Sequence, residues 1–372
     1  MRSENWINIE GNIVEKSEFS DFNFLIQLLK WKPSNSSHHR YYYFINKNPK
    51  DLETFDNYKK LSQTDREYLR GQYEASFISG KNINFTYKVS NEKSTASKEF
   101  NLQQALRYFN TPVFLVIENS LNDSYFLKSV FQFFDVEYSK DSRILEFIDN
   151  DWIQFVNAGG WANIKNYIEG RKKSLEKFCS LYGKNEYDFI RYFVLMDSDK
   201  NYPTEILPER ERLKTELESV GIKVHILNKR AMENYIPDEV IENLPQIHQK
   251  YIPFIPWINS YKTLSTDQKN FLNYRKGFPK KRIFDGEREI VVNKERLEQL
   301  QEIIDHYPIT LISDTNYVIL DNGFHPPKFK DEFPKLFENN HYVYKNSLLN
   351  KEGGSNEENE FKEIILKINS LL

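Results

Sequence analysis

The sequence predicts an α/β fold built on a central four-stranded parallel sheet with flanking helices. Three observations predict it. Four short apolar runs lie between residues 106 and 250: VFLVI (113–117), WIQFVNA (152–158), YFVLM (192–196) and KVHIL (223–227). Their starts are roughly 30 to 40 residues apart, which leaves room for a crossover helix in each connection. The first and third runs are apolar throughout, as strands covered on both faces are. On either side, residues 1–105 are expected to form an α+β extension, and residues 251–372 a mainly helical one.

Each element can be justified in chain order. FNFLIQLLKW (22–31) reads as a helix or a strand, and YYYFIN (41–46) and INFTYKVS (83–90) as strands. KPSNSSHHR and SNEKSTASKE are polar loops. His38 and His39 invite a metal reading, but adjacent residues point to opposite sides of a strand, so a plain loop is expected. After the first central run, LNDSYFLKSVFQFF has helical spacing. After the second, GGWANIKNYIEG opens on two glycines and places Trp161, Ile164 and Ile168 on one face. After the third, Pro208 suits a first helical turn, Leu213, Leu217 and Val220 make a stripe, and Gly221 is a stop. After the fourth, AMENYIPDEVIENL is helical with a proline interruption. Further on, KERLEQLQEIIDHY carries Leu297, Leu300, Ile304 and Tyr307 on one face. ITLISDTNYVILDNG alternates enough for two short strands. The last helix, with Phe361, Ile365, Ile368 and Leu372, follows a capping-box match at Ser355 and Glu358.

Composition narrows the function. The 372 residues are 39% hydrophobic and 28% charged, a globular balance. The net charge is −3, so binding to nucleic acid requires a local patch rather than a global field. Cys179 is the single cysteine, which excludes an internal disulfide and a thiolate metal cluster. No apolar run approaches the roughly 18 residues of a membrane helix, and the N-terminus lacks a signal-peptide core. The expectation is a cytoplasmic protein with no membrane association.

The ends of the central runs carry the chemistry. Glu118 ends the first, Gly159 and Gly160 the second, Asp197 and Asp199 the third, and Lys229, Arg230 and Glu233 follow the fourth. Sites in open parallel sheets form beyond the carboxyl ends of the strands, so these acids are expected to converge. Converging carboxylates repel unless cations neutralise them. Mg²⁺ and Mn²⁺ favour such hard oxygen donors, and one or two ions can activate water and steady a leaving oxygen.

This pattern resembles a TOPRIM domain, in which a glutamate ends the first strand and a D-x-D ends the third. Glu118 in FLVIENSLND and Asp197/Asp199 in FVLMDSD match it. More narrowly, the stretch 106–250 is similar to the nuclease TOPRIM domains of the OLD (overcoming lysogenization defect) family and their ATPase-partnered relatives in phage defence. Asp123, the Gly159–Gly160 turn, and Lys229, Arg230, Glu233 and Asn234 in NKRAMENY carry that closer likeness. Asn119 stands where the family usually has glycine, and Asp123 is five residues after Glu118 rather than four. The resemblance implies a metal-dependent endonuclease with Glu118, Asp123, Asp197 and Asp199 as metal ligands. Glu233 and Lys229 would join the catalytic set, and Arg230 would contact nucleic acid. No P-loop motif occurs, and SGKN at 79–82 has no glycine upstream in register. A separate ATPase or other regulatory subunit, or a homo-oligomer, is therefore expected to restrain a toxic antiviral activity.

A basic stretch, YRKGFPKKR, sets Arg275, Lys276, Lys280, Lys281 and Arg282 around Tyr274 and Phe278. Cations interleaved with aromatics suit a nucleic-acid backbone and stacked bases, and a solvated loop fits equally. Lys276 or Lys229 is the expected lysine near the phosphate chemistry. The competing readings are a different metal-dependent phosphoryl or glycosyl transfer enzyme and a catalytically silent TOPRIM binding subunit. Asn201 at the fifth position of the D-x-D run disfavours a phosphatase of the haloacid dehalogenase type.

Overall fold

A computed structural model describes residues 6–32, 40–78, 85–139, 144–278, 301–303, 305–307, 314–353 and 359–372. It contains two four-stranded sheets, and every strand pair in both is parallel.

The first sheet comprises β1 (Trp6–Glu10), β2 (Tyr42–Asn46), β3 (Phe85–Val89) and β4 (Glu99–Phe100), in the order β2-β1-β3-β4. Helix α1 (Phe19–Lys30) lies between β1 and β2, and α2 (Gln63–Ile78) between β2 and β3. Phe22, Leu25, Ile26 and Leu29 form the buried face of α1 and share one core with Ile7, Ile9 and Ile45. That stripe at helical spacing resolves the segment 22–31 as helix. The expected α+β character of residues 1–105 is overturned: every strand pair is parallel, with helices in the β1–β2 and β2–β3 connections and a short loop over 90–98 before β4, which makes this region α/β.

The second sheet comprises β5 (Val113–Ile117), β6 (Ile153–Asn157), β7 (Tyr192–Met196) and β8 (Lys223–Ile226), in the order β6-β5-β7-β8. The four expected runs are its four strands. Leu115 pairs with Phe155 on one side and Phe193 on the other, and Met196 pairs with Ile226. Helix α3 (Leu102–Asn110) leads into β5 and is capped by Asn101 and Gln104 reciprocally. Helices α4 (Ser120–Ser139), α5 (Trp161–Tyr182) and α6 (Pro208–Ser219) follow β5, β6 and β7.

Alternation along the strands divides the apolar residues between two cores. Val113, Leu115, Ile117, Phe193 and Leu195 join a cluster with α4 and the C-terminal helices. Val116, Tyr192, Val194, Met196 and Val224 join α5, α6 and the first sheet. Arg191 ties three parts of the chain together. Its buried guanidinium donates to the Tyr41 hydroxyl at 2.6 Å, the Thr111 carbonyl at 3.1 Å and the Leu371 carbonyl at 2.6 Å.

Toward the C-terminus, α7 (Asp314–Asp321) replaces one of the two strands expected over 309–323. Buried Tyr317 and Leu320, three residues apart, hold it as a helix, while Val318 is exposed. The alternating residues 309–313 lie outside the described residues, as do most of the helix expected at 294–307, the Ser355/Glu358 capping box and the segment 79–82. Helices α8 (Lys345–Glu352) and α9 (Glu360–Asn369) follow. Asn359 caps α9, and Phe361, Ile365, Ile368 and Leu372 are buried as expected. Buried Glu360 at its start receives His225 Nε2–H at 2.7 Å, the Asn228 N–H at 2.8 Å and the Tyr235 hydroxyl. Burial opposes a charge on His225, yet its bonds to Glu360 and Glu363 hold the imidazole pKa above its ordinary value. No helix among the described residues is long and apolar enough to cross a membrane.

Candidate active site

The carboxyl ends of β5 and β7 are neighbours, so Glu118 and Asp197 emerge side by side. The Asp197 N–H donates to Glu118 Oε1 at 3.1 Å. The other oxygen of Glu118 receives the Trp161 N–H at 3.2 Å, at the first turn of α5. Gly160 permits that approach: its φ of 109° lies where side chains are strained, and its own N–H donates to the Glu118 carbonyl at 3.2 Å. Glu118 thus sits at a helix N-terminus, a favourable place for an anion.

Asp197 Oδ1 accepts the Met232 N–H at 3.2 Å, which draws the segment after β8 onto the site. Asp199 has a left-handed backbone (φ 54°), tolerated by aspartate at a cost of about 1 kcal/mol, and donates its N–H to the Arg230 carbonyl at 2.8 Å. Between them, the Ser198 hydroxyl donates to the Lys229 carbonyl at 2.7 Å. Asp123, buried in the first turn of α4, receives the Asn119 N–H at 2.7 Å. Glu233 is fixed by its neighbour: the amide of Asn234 donates to the carbonyls of Lys269 and Leu272 at 2.9 and 3.0 Å.

Five carboxylates in mutual electrostatic reach have a visible consequence. Burial first, and then Glu233, Glu118, Asp123 and Asp199, push the Asp197 pKa well above the usual carboxylate range. Burial, then Glu233 and Glu118, raise Asp123 to about 8 against the bond from Asn119. Burial and Asp199 raise Glu118 against the pull of Arg210. Burial and Asp199 also raise Glu233. The chain has placed acids where charge is costly, and a cation would relieve that cost.

One cation is already there. Arg210, in the first turn of α6, is buried and bridges the cluster. Its Nη1 donates to Glu118 Oε1 at 3.2 Å, and its Nη2 pairs with Asp199 Oδ2. The guanidinium lies 5.0 Å from the Trp161 ring centre. Among the described residues, no three His, Cys, Asp or Glu side chains stand as a ready-made metal cage. The donor chemistry nevertheless fits a hard divalent ion: apart from Arg210 the converging side chains are carboxylates, and burial together with their mutual repulsion disfavours their charged forms.

Other expected residues are placed elsewhere. The Lys229 ammonium lies over the Tyr235 ring at 5.4 Å, and the charges acting on it most are Lys351, Glu360, Glu352 and Asp238. Burial, then Lys351, lowers it to about 8. Arg230 donates to the Lys200 carbonyl at 2.8 Å and to Asn201 Oδ1 at 3.0 Å, so it pins the loop after β7. Arg275 and Lys276 are exposed, but Tyr274 and Phe278 are buried in the core. The expectation of aromatic rings available for base stacking there is overturned, because the turn at Gly277 folds both rings inward. Lys280, Lys281 and Arg282 lie outside the described residues, as do His38 and His39. Sequence reasoning missed Arg210. A signal was present, because acids suit the first turn of a helix and an arginine there is opposed by the helix dipole.

Fold and site together define an α/β protein with an acid cluster at the carboxyl edge of a parallel sheet. No protein-family model, no curated protein and no solved structure matches the chain.

Proposed function

We propose that the chain is a TOPRIM-type, metal-dependent endonuclease that hydrolyses phosphodiester bonds of DNA or RNA. One observation carries the reading: at the ends of the adjacent β5 and β7 the Asp197 N–H donates to Glu118 Oε1, and the Arg210 guanidinium bridges Glu118 to Asp199. Glu118, Asp197 and Asp199 would hold one or two Mg²⁺ or Mn²⁺ ions, with Asp123 completing the donor set. A bound ion would supply positive charge to the scissile phosphate and an activated water. The chain's own groups do the rest. The N–H groups of Asp197 and Trp161 orient the Glu118 carboxylate. The Met232 N–H does the same for Asp197. Glu233, whose carboxyl pKa is held above its ordinary value by burial and Asp199, would exchange a proton. Arg275 and Lys276 remain exposed for backbone phosphates. Control by a separate ATPase or other regulatory subunit would be in keeping with a phage-defence effector of the cytoplasm.

The test is cleavage of supercoiled plasmid and of total tRNA by the purified chain, with and without Mg²⁺ or Mn²⁺. Metal-dependent cutting that falls at least about 100-fold in both Glu118→Gln and Asp197→Asn is expected. Cutting that survives both substitutions would refute the assignment.

A further inference from the structure

Arg210 is an expensive residue to place where it is. A guanidinium loses hydration when buried, and the N-terminus of α6 repels it. Glu209 and Glu211 on either side are exposed and suit that first turn, so the local helix chemistry does not call for arginine. What holds it is the pair of carboxylates. Its two terminal nitrogens take one oxygen each from Glu118 and Asp199, which come from different strands, and the Trp161 ring supports its face. A planar fork of this kind spans two acids that a point charge would otherwise have to gather. Arg210 thereby occupies one oxygen each of two of the three carboxylates proposed as metal ligands.

We propose that Arg210 is an internal counter-ion, a positioning residue that keeps the acid cluster assembled and competes with the divalent ion for Glu118 and Asp199. Ion binding and the Arg210 bridge are mutually exclusive, so the ion must displace the guanidinium before it can bind. The inference rests on the metal-site reading above and deepens it.

The test is calorimetric titration of Mn²⁺ into the full chain, its Arg210→Met variant and its Arg210→Lys variant, with no substrate present. Removing the competitor should tighten Mn²⁺ binding by on the order of tenfold in Arg210→Met. Arg210→Lys, which keeps the charge without the fork, should fall between. Equal affinity in all three proteins would overturn the role of Arg210 and leave the metal site standing. No binding by any of them would overturn both. The loss of countercharge in Arg210→Met threatens folding, so a second measurement uses the native side chain. Mg²⁺ should change the tryptophan fluorescence of the wild-type chain as Arg210 leaves the Trp161 ring, and this change should vanish in Trp161→Phe. A fluorescence response that is identical in both proteins would also overturn the displacement.

Discussion

Replacing Asp123 with asparagine should stabilise this protein in the absence of divalent ions, and the gain should grow with pH. Asp123 is buried beside Glu233 and Glu118, and its pKa rises from 3.8 to about 8. Between those values the unfolded chain has released the proton and the folded chain retains it. The folded state binds more protons there, so stability falls as pH rises, and the loss is complete above the folded pKa. At about 1.4 kcal/mol per pH unit, the deficit from Asp123 alone approaches ~2 kcal/mol at pH 5 and ~5 kcal/mol at pH 8. Neighbouring carboxylates take up part of the charge, so about half should be recovered by the substitution: ~1 kcal/mol at pH 5 and ~3 kcal/mol at pH 8. The asparagine carbonyl can still accept the Asn119 N–H, so the local bond survives. Glu118, Asp197 and Glu233 are raised too and steepen the wild-type slope in the same direction. Glu363, held down to about 2 beside His225 and Lys367, acts below this window. Urea unfolding in EDTA at pH 5, 6.5 and 8 reads the effect, and excess Mg²⁺ should narrow or reverse the gap at pH 8. A variant less stable than wild type at pH 8 in EDTA would refute the electrostatic reasoning.

Two further predictions concern the frame around the site. Glu360→Ala should cost about 3 kcal/mol by thermal unfolding, because His225, the Asn228 N–H and the Tyr235 hydroxyl lose their common buried acceptor; a loss below 1 kcal/mol would show that water replaces it. Gly277→Ala should cost at least about 2 kcal/mol, since its φ is 70° and a Cβ there would stand 2.2 Å from the Leu320 carbonyl oxygen. Gly221→Ala, at φ 89° but facing open space, should cost only about 1 kcal/mol, and equal losses at the two glycines would disprove the steric argument.

The second sheet was legible because its strands are continuous apolar runs with helical periodicity between them. Its parallel order brings the ends of β5 and β7 together, and the spacing of Glu118, Asp197 and Asp199 already announced that meeting. The first sheet was harder to read. Strand β4 has two residues, and β1 is five residues beside a polar N-terminal stretch, so neither offers a long period. Side-chain direction was not legible at all. Lys229 and Arg230 sit next to site residues in sequence, yet one ammonium turns toward the C-terminal network and one guanidinium braces a loop. Tyr274 and Phe278 alternate with cations on paper, but the turn at Gly277 commits both rings to the core. Arg210 was hidden in a charge-dense helix, where only its conflict with the dipole marked it.

The division of the second sheet between two cores has a consequence for handling the molecule. Its acid-bearing edge cannot be separated from either flank without stripping one face of β5 and β7. Removal of residues 359–372 would deprive Phe126 and Phe134 of Phe361, take the acceptor from His225 and leave the Arg191 guanidinium without the Leu371 carbonyl. Removal of the first sheet would expose the opposite face and orphan the same guanidinium from Tyr41. The acid-bearing edge therefore depends on both flanks, and a cut that frees either one removes packing from β5 and β7 while leaving Glu118, Asp197 and Asp199 in the chain.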